Sequence, residues 1–107
     1  AKIRGTGVYL RERVLSNRDL EQMVETSDEW IVTRTGMKER RLARDDEFAS
    51  DMGAKAGLNA IEDAGLTADD IDFILVATLT PDYIFPSTAC LIQQMIGSKK
   101  AAALDVQ

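Results

Sequence analysis

The sequence of 107 residues contains no histidine and a single cysteine, Cys90, and both absences limit its chemistry. Without histidine or a second cysteine, the chain lacks the ligands of most zinc sites, so we do not expect one. Serine–histidine or cysteine–histidine catalysis cannot be complete within the chain either. A single cysteine also excludes an internal disulfide. We therefore predict no metal site and no complete histidine-dependent catalytic centre in this chain.

Long hydrophobic runs are missing as well. No stretch of 18 apolar residues and no signal-peptide pattern occurs, which predicts a soluble cytoplasmic protein. With 45% hydrophobic and 29% charged residues, the composition is globular, and the length fits one small domain. The net charge of −5 argues against nucleic acid as the main partner. The segment from Arg34 to Arg44 is nevertheless basic, which suggests a small anionic ligand or an acidic partner; for any single residue there, ordinary surface charge is the simpler explanation.

Residues 26–41 hold the only tryptophan, Trp30, and predict a short helix. Thr26 and Glu29 stand at the spacing of a capping box, and a glycine after the helix would end it. Trp30 and Arg34 are four residues apart and therefore share one face. An exposed aromatic ring beside a guanidinium suits a flat ring that carries phosphate, such as a nucleotide. Alternatively, Trp30 anchors the helix to the core while Arg34 is solvated, and the spacing alone favours this alternative.

Apolar periodicity predicts strands and helices along the rest of the chain. The continuous apolar run at residues 72–79 indicates a parallel strand buried on both faces, as in an α/β sheet. Small residues at spacings of three and four in residues 47–64 indicate a buried helix. Gly5 and Gly7 indicate a bulge or a close backbone approach in a first strand. The remaining predicted elements are that first strand at residues 3–10, helices at 16–25 and 87–96, a polar edge strand at 38–42 and a last buried strand at 101–106.

The loop at residues 80–86 leaves the carboxyl end of a predicted strand, where open α/β sheets bind ligands. It carries Tyr83, Ile84 and Phe85, which is unusual for a solvated connection and predicts contact with another element or subunit. Cys90 lies four residues into the apolar helix that follows. Because free cysteine is commonly buried and apolar surroundings disfavour a thiolate, we predict a packing role for Cys90.

Four stretches occur in the order in which they are found in one enzyme family. They read Gly-Thr-Gly-Val-Tyr-Leu, Glu-Thr-Ser-Asp-Glu-Trp-Ile-Val-Thr-Arg-Thr-Gly-Met-Lys-Glu-Arg-Arg, Phe-Pro-Ser-Thr-Ala-Cys-Leu-Ile-Gln and Ala-Ala-Ala-Leu-Asp-Val-Gln. Over all 107 residues the chain resembles the N-terminal third of β-ketoacyl-[acyl carrier protein] synthase III. The resemblance implies a thiolase-like α/β fold with α-β-α-β-α layers, in which residues 1–107 form most of the first half-domain. The chain stops inside a predicted core strand, so we expect it to be a piece of a larger protein.

The resemblance also implies an activity. Enzymes of this family take an acyl group from acyl-CoA onto a cysteine and condense it with malonyl-[acyl carrier protein], releasing CO₂ and a 3-ketoacyl product. We therefore expect an acyltransferase that initiates type II fatty acid synthesis from acetyl-CoA and needs no cofactor, since acyl-CoA is a substrate. The catalytic cysteine, histidine and asparagine are expected beyond Gln107, so this segment alone should be inactive. The alternatives are another thiolase-like CoA condensing enzyme, of polyketide or alkene synthesis, and a non-catalytic module that binds CoA or a carrier protein.

The resemblance assigns roles to individual residues. Trp30 corresponds to the tryptophan that stacks on the adenine of CoA, and Arg34 to an arginine of the same nucleotide and phosphate site. Thr26 lies beside the adenine. Phe85 corresponds to the phenylalanine that crosses a homodimer to shape the partner subunit's acyl pocket, whereas Cys90 does not correspond to the nucleophile. The implied partners are acyl-CoA, malonyl-[acyl carrier protein], a second subunit and the remainder of the chain, without nucleic acid or membrane.

Overall fold

The computed structural model covers residues 1–107 and divides them into two compact units. The first unit comprises residues 1–9 and 47–107, and the second comprises residues 10–46. None of the helices has the length and apolar character required to cross a membrane. In chain order the elements are β1 (Val14–Ser16), α1 (Asn17–Met23), α2 (Asp28–Thr35), β2 (Glu39–Arg41), α3 (Ala49–Asp63), a 3-10 turn (Ala68–Asp70), β3 (Phe73–Ala77), α4 (Thr88–Ile96) and β4 (Ala102–Val106).

The second unit combines two short helices with a small antiparallel ribbon. β1 and β2 form this ribbon, in which Leu15 is opposite Arg40, so the predicted edge strand at 38–42 is confirmed. Ser16 begins α1 with a complete capping box. Its hydroxyl oxygen accepts from the Asp19 N–H, and the Asp19 carboxylate accepts from the Ser16 N–H. The predicted first helix is thus confirmed, although it ends at Met23.

α2 begins one residue later than the sequence predicts. Its N-cap is Ser27, whose hydroxyl oxygen accepts from the Trp30 N–H at 3.1 Å. The predicted capping box of Thr26 and Glu29 is therefore wrong, because the next residue offers an equally suitable cap oxygen. Gly36 ends the helix as predicted, in the left-handed conformation with φ 71° that glycine adopts without a Cβ clash.

Residues 3–10, all but the last of which belong to the first unit, are not a strand, contrary to the prediction. The backbone of this segment approaches α3, and Asn59 Nδ2 donates to the Val8 carbonyl at 2.9 Å. A Cβ added to Gly7 would lie 2.3 Å from the Ala56 carbonyl oxygen. The close backbone approach predicted from the glycines is thus confirmed, but its neighbour is a helix. The strand prediction fails because this backbone lies against a helix instead of a neighbouring strand.

β3 and β4 form a parallel pair, with Phe73 opposite Ala102 and Ala77 opposite Val106. The parallel strand predicted at 72–79 and the strand predicted at 101–106 are therefore confirmed. α4 packs against both strands and against α3. The burial on both faces that was predicted for the strand at 72–79 is wrong for this chain, since Phe73 is 54% and Leu75 is 58% exposed. Exposed and half-buried residues alternate along both strands, so only one face of the sheet is covered.

α3 and α4 meet through small residues, as the predicted stripe suggested. A Cβ added to Gly53 would lie 2.6 Å from the Ile92 side chain, so the glycine allows close packing. α3 begins at Ala49, its buried residues are Ser50 and Ala54, and the residues of the stripe are half-buried, so the burial predicted for this helix is partial. Cys90 is exposed, which contradicts the packing role predicted for it. The buried face of α4 is defined by Ala89 and Ile92, and Cys90 lies outside that face.

Candidate functional site

α2 presents Trp30 to solvent. The residue is 55% exposed, whereas its neighbour Ile31 is buried at 8%. Because successive helical residues point in directions about 100° apart, Ile31 packs α2 against the unit and Trp30 projects away from that contact. The alternative in which Trp30 anchors the helix to the core is therefore wrong, and Ile31 has that role.

Arg34 lies over the Trp30 ring. Its guanidinium carbon is 5.1 Å from the ring centroid, which is the geometry of a cation–π contact. The shared face predicted from the four-residue spacing is thus confirmed. At an exposed position such a contact contributes about 0.5 to 1 kcal/mol. This energy is enough to favour one orientation of the guanidinium while leaving its charge available to a ligand.

Two adjoining hollows surround this pair and share Ser27 and Trp30 among their lining residues. The larger has a volume of about 390 Å³ and the smaller about 270 Å³. All three residues that the resemblance assigns to CoA border them. The larger hollow is lined by Ser27, Glu29, Trp30, Thr33 and Arg34, and the smaller by Glu25, Thr26, Ser27 and Trp30.

A buried amide that the sequence analysis missed holds α2 at both ends. Asn17 is 1% exposed, and its Nδ2 donates to Asp28 at 2.7 Å and to the Met37 carbonyl at 2.8 Å. Arg40 donates to the Asn17 side-chain oxygen at 2.8 Å, so all of these groups are paired. Asp28 begins α2 and Met37 follows its glycine stop. The amide therefore fixes the helix that carries Trp30, and no spacing in the sequence indicates this, because the partners are 11 to 23 positions apart.

The loop at residues 80–86 belongs to the first unit, and its apolar side chains are exposed. Phe85 is 89% exposed and Ile84 is fully exposed. The side chains make no contact with another element that would bury them within this chain, so a contact with another subunit stays a prediction. A hollow of about 250 Å³ adjoins the loop, lined by Pro81, Tyr83, Ile84, Ser87, Ala103, Leu104, Asp105 and Gln107.

No protein-family model matches the chain. Curated proteins to which it is similar, however, share one name, β-ketoacyl-[acyl-carrier-protein] synthase III. A β-ketoacyl-[acyl-carrier-protein] synthase III of Chlamydia caviae is 62% identical over 105 residues, covering 98% of this chain and 31% of that protein. The crystal structure of 3-oxoacyl-[acyl-carrier-protein] synthase III from Aquifex aeolicus VF5 matches with a TM-score of 0.88 and 50% identity, covering 98% of this chain and 34% of that one. The priming β-ketosynthase of the R1128 polyketide pathway has the same TM-score at 33% identity, covering 98% and 31%. The chain thus spans about a third of the length of these relatives.

Proposed function

Because the chain belongs to the β-ketoacyl-[acyl-carrier-protein] synthase III family, we propose that the protein containing it initiates type II fatty acid synthesis. An acyl group, with acetyl-CoA as the proposed primer, passes to an enzyme cysteine and CoA leaves. Malonyl-[acyl carrier protein] then loses CO₂, and its new carbanion attacks the acyl-enzyme thioester, displacing the cysteine thiolate and forming 3-ketoacyl-[acyl carrier protein]. The thiolase-like α/β fold expected from the sequence is confirmed by the matching structures.

Within this protein, the second unit contributes part of the CoA site. The observation that carries this proposal is the exposed Trp30 ring with the Arg34 guanidinium over it. An aromatic face of this kind stacks on a flat heterocycle, and adenine is the flat part of CoA. Thr26 borders the smaller hollow next to the ring, and in this proposal it lies beside the bound adenine.

The charges around the hollows restrict how CoA binds. Glu25 and Glu29 border them, and Arg34 is the only cation among the lining residues. A neutral adenine tolerates nearby carboxylates, whereas phosphate groups are repelled by them and need a cation. We therefore place the adenine on Trp30 and a phosphate at Arg34.

The first unit contributes a subunit contact and a wall of the acyl pocket. Phe85 and its neighbour Ile84 form an uncovered apolar surface, which suits burial by a second copy of the protein. We propose a homodimer in which Phe85 reaches the partner's acyl pocket. The proposed reaction uses acyl-CoA as a substrate, needs no separate cofactor, and takes place in the cytoplasm, where both thioester substrates are found.

The test is a condensation assay with the purified full-length protein. We expect acetyl-CoA and malonyl-[acyl carrier protein] to yield acetoacetyl-[acyl carrier protein], detected by mass spectrometry, with one CO₂ per product. Residues 1–107 alone should give none.

Two other outcomes would contradict this function. Exclusive use of aryl or long-chain primers would favour a condensing enzyme of polyketide or alkene synthesis, the second candidate, which the likeness to the R1128 enzyme supports at lower identity. CoA binding without any condensation would favour a non-catalytic module.

A further inference from the structure

The exposed loop at residues 80–86 is tied to α3 by one carboxylate, that of Asp82. Asp82 Oδ1 accepts from the Ser50 N–H at 3.0 Å, and Oδ2 accepts from the Ser50 hydroxyl. Ser50 is the second residue of α3 and is 1% exposed. The loop is therefore attached to the buried residue Ser50 by two hydrogen bonds, both accepted by the Asp82 carboxylate.

α3 needs this external partner because its own N-cap lacks one. The N-cap residue is Phe48, whose side chain has no acceptor for the N–H groups of the first turn. Asp51 accepts from the Phe48 N–H at 2.9 Å, but that bond leaves the Ser50 N–H unpaired. Asp82 supplies the missing acceptor from 32 positions away, and its negative charge is favourable at a helix N-terminus.

The other end of the loop is held in the same way. The two carboxylate oxygens of Asp105 accept from the Thr88 and Ala89 N–H groups at 2.7 Å each, at the start of α4. Between these two attachments lie residues 83–85, which we call the apolar tip. The tip itself is exposed, so its position relative to the first unit depends on the attachments.

We propose that Asp82 is a positioning residue for acyl-chain selection, acting by holding the apolar tip in place. The proposal rests on the proposed function, in which Phe85 forms a wall of the partner's acyl pocket. A wall selects chain length only while its position is fixed, because a movable wall yields to an additional methylene. Loss of the attachment should therefore broaden the range of primers without removing any group that touches the reacting atoms.

The test compares Asp82→Ala with Asp51→Ala in the full-length protein. Both changes remove a carboxylate from the N-terminus of α3, but Asp51 has no bond to the loop. We expect Asp82→Ala to lower the preference for the short primer, measured as the ratio of kcat/KM for acetyl-CoA to kcat/KM for hexanoyl-CoA, by about threefold to tenfold. This change is a modest part of the discrimination that a rigid pocket achieves. Asp51→Ala should leave that ratio unchanged.

Two further variants separate position from stability. Asp82→Asn keeps an acceptor for the Ser50 N–H, and its amide N–H can donate to the Ser50 hydroxyl oxygen, so this variant should retain the parent ratio. Ser50→Ala removes the hydroxyl and with it one of the two bonds, so it should shift the ratio in the same direction as Asp82→Ala. Amide hydrogen exchange of the apolar tip should be faster in Asp82→Ala and not in Asp51→Ala. Equal ratios and equal exchange in both alanine variants would overturn the inference.

The two proposals fail in different ways. A parent protein with no condensing activity contradicts the proposed function, while the exchange measurement still decides whether Asp82 holds the tip. An active parent in which Phe85→Ala changes the primer ratio and Asp82→Ala does not would contradict only the role of Asp82.

Discussion

Replacing Trp30 with alanine should weaken CoA binding far more than it weakens folding. The side chain is 55% exposed and the core contact of α2 is made by Ile31. A buried tryptophan replaced by alanine costs about 3 to 5 kcal/mol of folding free energy. For Trp30→Ala we expect a loss of folding free energy below about 1.5 kcal/mol, mainly from the lost Arg34 contact and from the part of the ring that is packed.

The effect on binding follows from the exposed area. A tryptophan contact buries up to about 200 Å², so roughly 100 Å² of this ring is available to adenine. At about 25 cal/mol per Å² of apolar surface, its coverage stabilises the complex by about 2.5 kcal/mol. Base–aromatic stacking measured by alanine substitution gives about 1 to 3 kcal/mol, which agrees. The dissociation constant for CoA should therefore rise by about 5- to 150-fold.

Isothermal titration of CoA into the full-length protein measures this change directly, and acyl-CoA kinetics should show it in KM with little change in kcat. Met37→Ala is the matched control, because Met37 is an equally exposed apolar residue of the same unit that borders neither hollow. Trp30→Phe should retain part of the affinity. An unchanged dissociation constant in a folded Trp30→Ala protein would refute the adenine site. A loss of about 3 to 5 kcal/mol of folding free energy, the value for a buried tryptophan, would refute the assignment of Ile31 as the anchor.

Two further predictions concern stability, measured by urea denaturation of the full-length protein. Gly7→Ala should cost about 1 to 3 kcal/mol, because its Cβ would lie 2.3 Å from backbone atoms of α3; Gly57→Ala, which has open space inside the same helix, should instead stabilise by about 0.5 to 1 kcal/mol. Asp19 has a pKa below its ordinary value of 3.8 because it accepts from the Ser16 hydroxyl and N–H. The contribution of Asp19 to stability is therefore fully present above its ordinary pKa and is lost as the pH falls through the lowered pKa. The difference in the free energy of unfolding between the parent and Asp19→Asn should be constant near neutral pH and shrink below about pH 4. A difference that stays constant down to about pH 2 would contradict this assignment.

The features predicted correctly from the sequence are mostly local. The start of α1 at Ser16 and the glycine stop of α2 depend on residues at most four positions apart, so local spacing is enough to predict them. Even there, the N-cap predicted at Thr26 is wrong by one residue, because the adjacent Ser27 offers the same hydroxyl chemistry. The bonds of Asn17 and Asp82 join residues 11 to 32 positions apart and have no local pattern.

The candidate site shows the same limit in another form. A four-residue spacing establishes that Trp30 and Arg34 share a face, but it does not say whether that face is packed or exposed. The distinction depends on which side of α2 meets the rest of the unit, and the structure assigns that side to Ile31. The resemblance to a family of CoA-using enzymes favoured exposure where the spacing alone favoured burial.

The apolar strands carry information about more than these 107 residues. Phe73, Leu75 and Leu104 are half-exposed on the open face of the β3–β4 sheet, so uninterrupted apolar character does not correspond to burial within this chain. A parallel strand keeps apolar residues on both faces where both faces are covered. Since the relatives are about three times longer than this chain, the strand composition fits the layered environment of the whole protein. The prediction of burial on both faces was thus wrong for the segment, because a sequence pattern reflects the complete fold in which its residues pack.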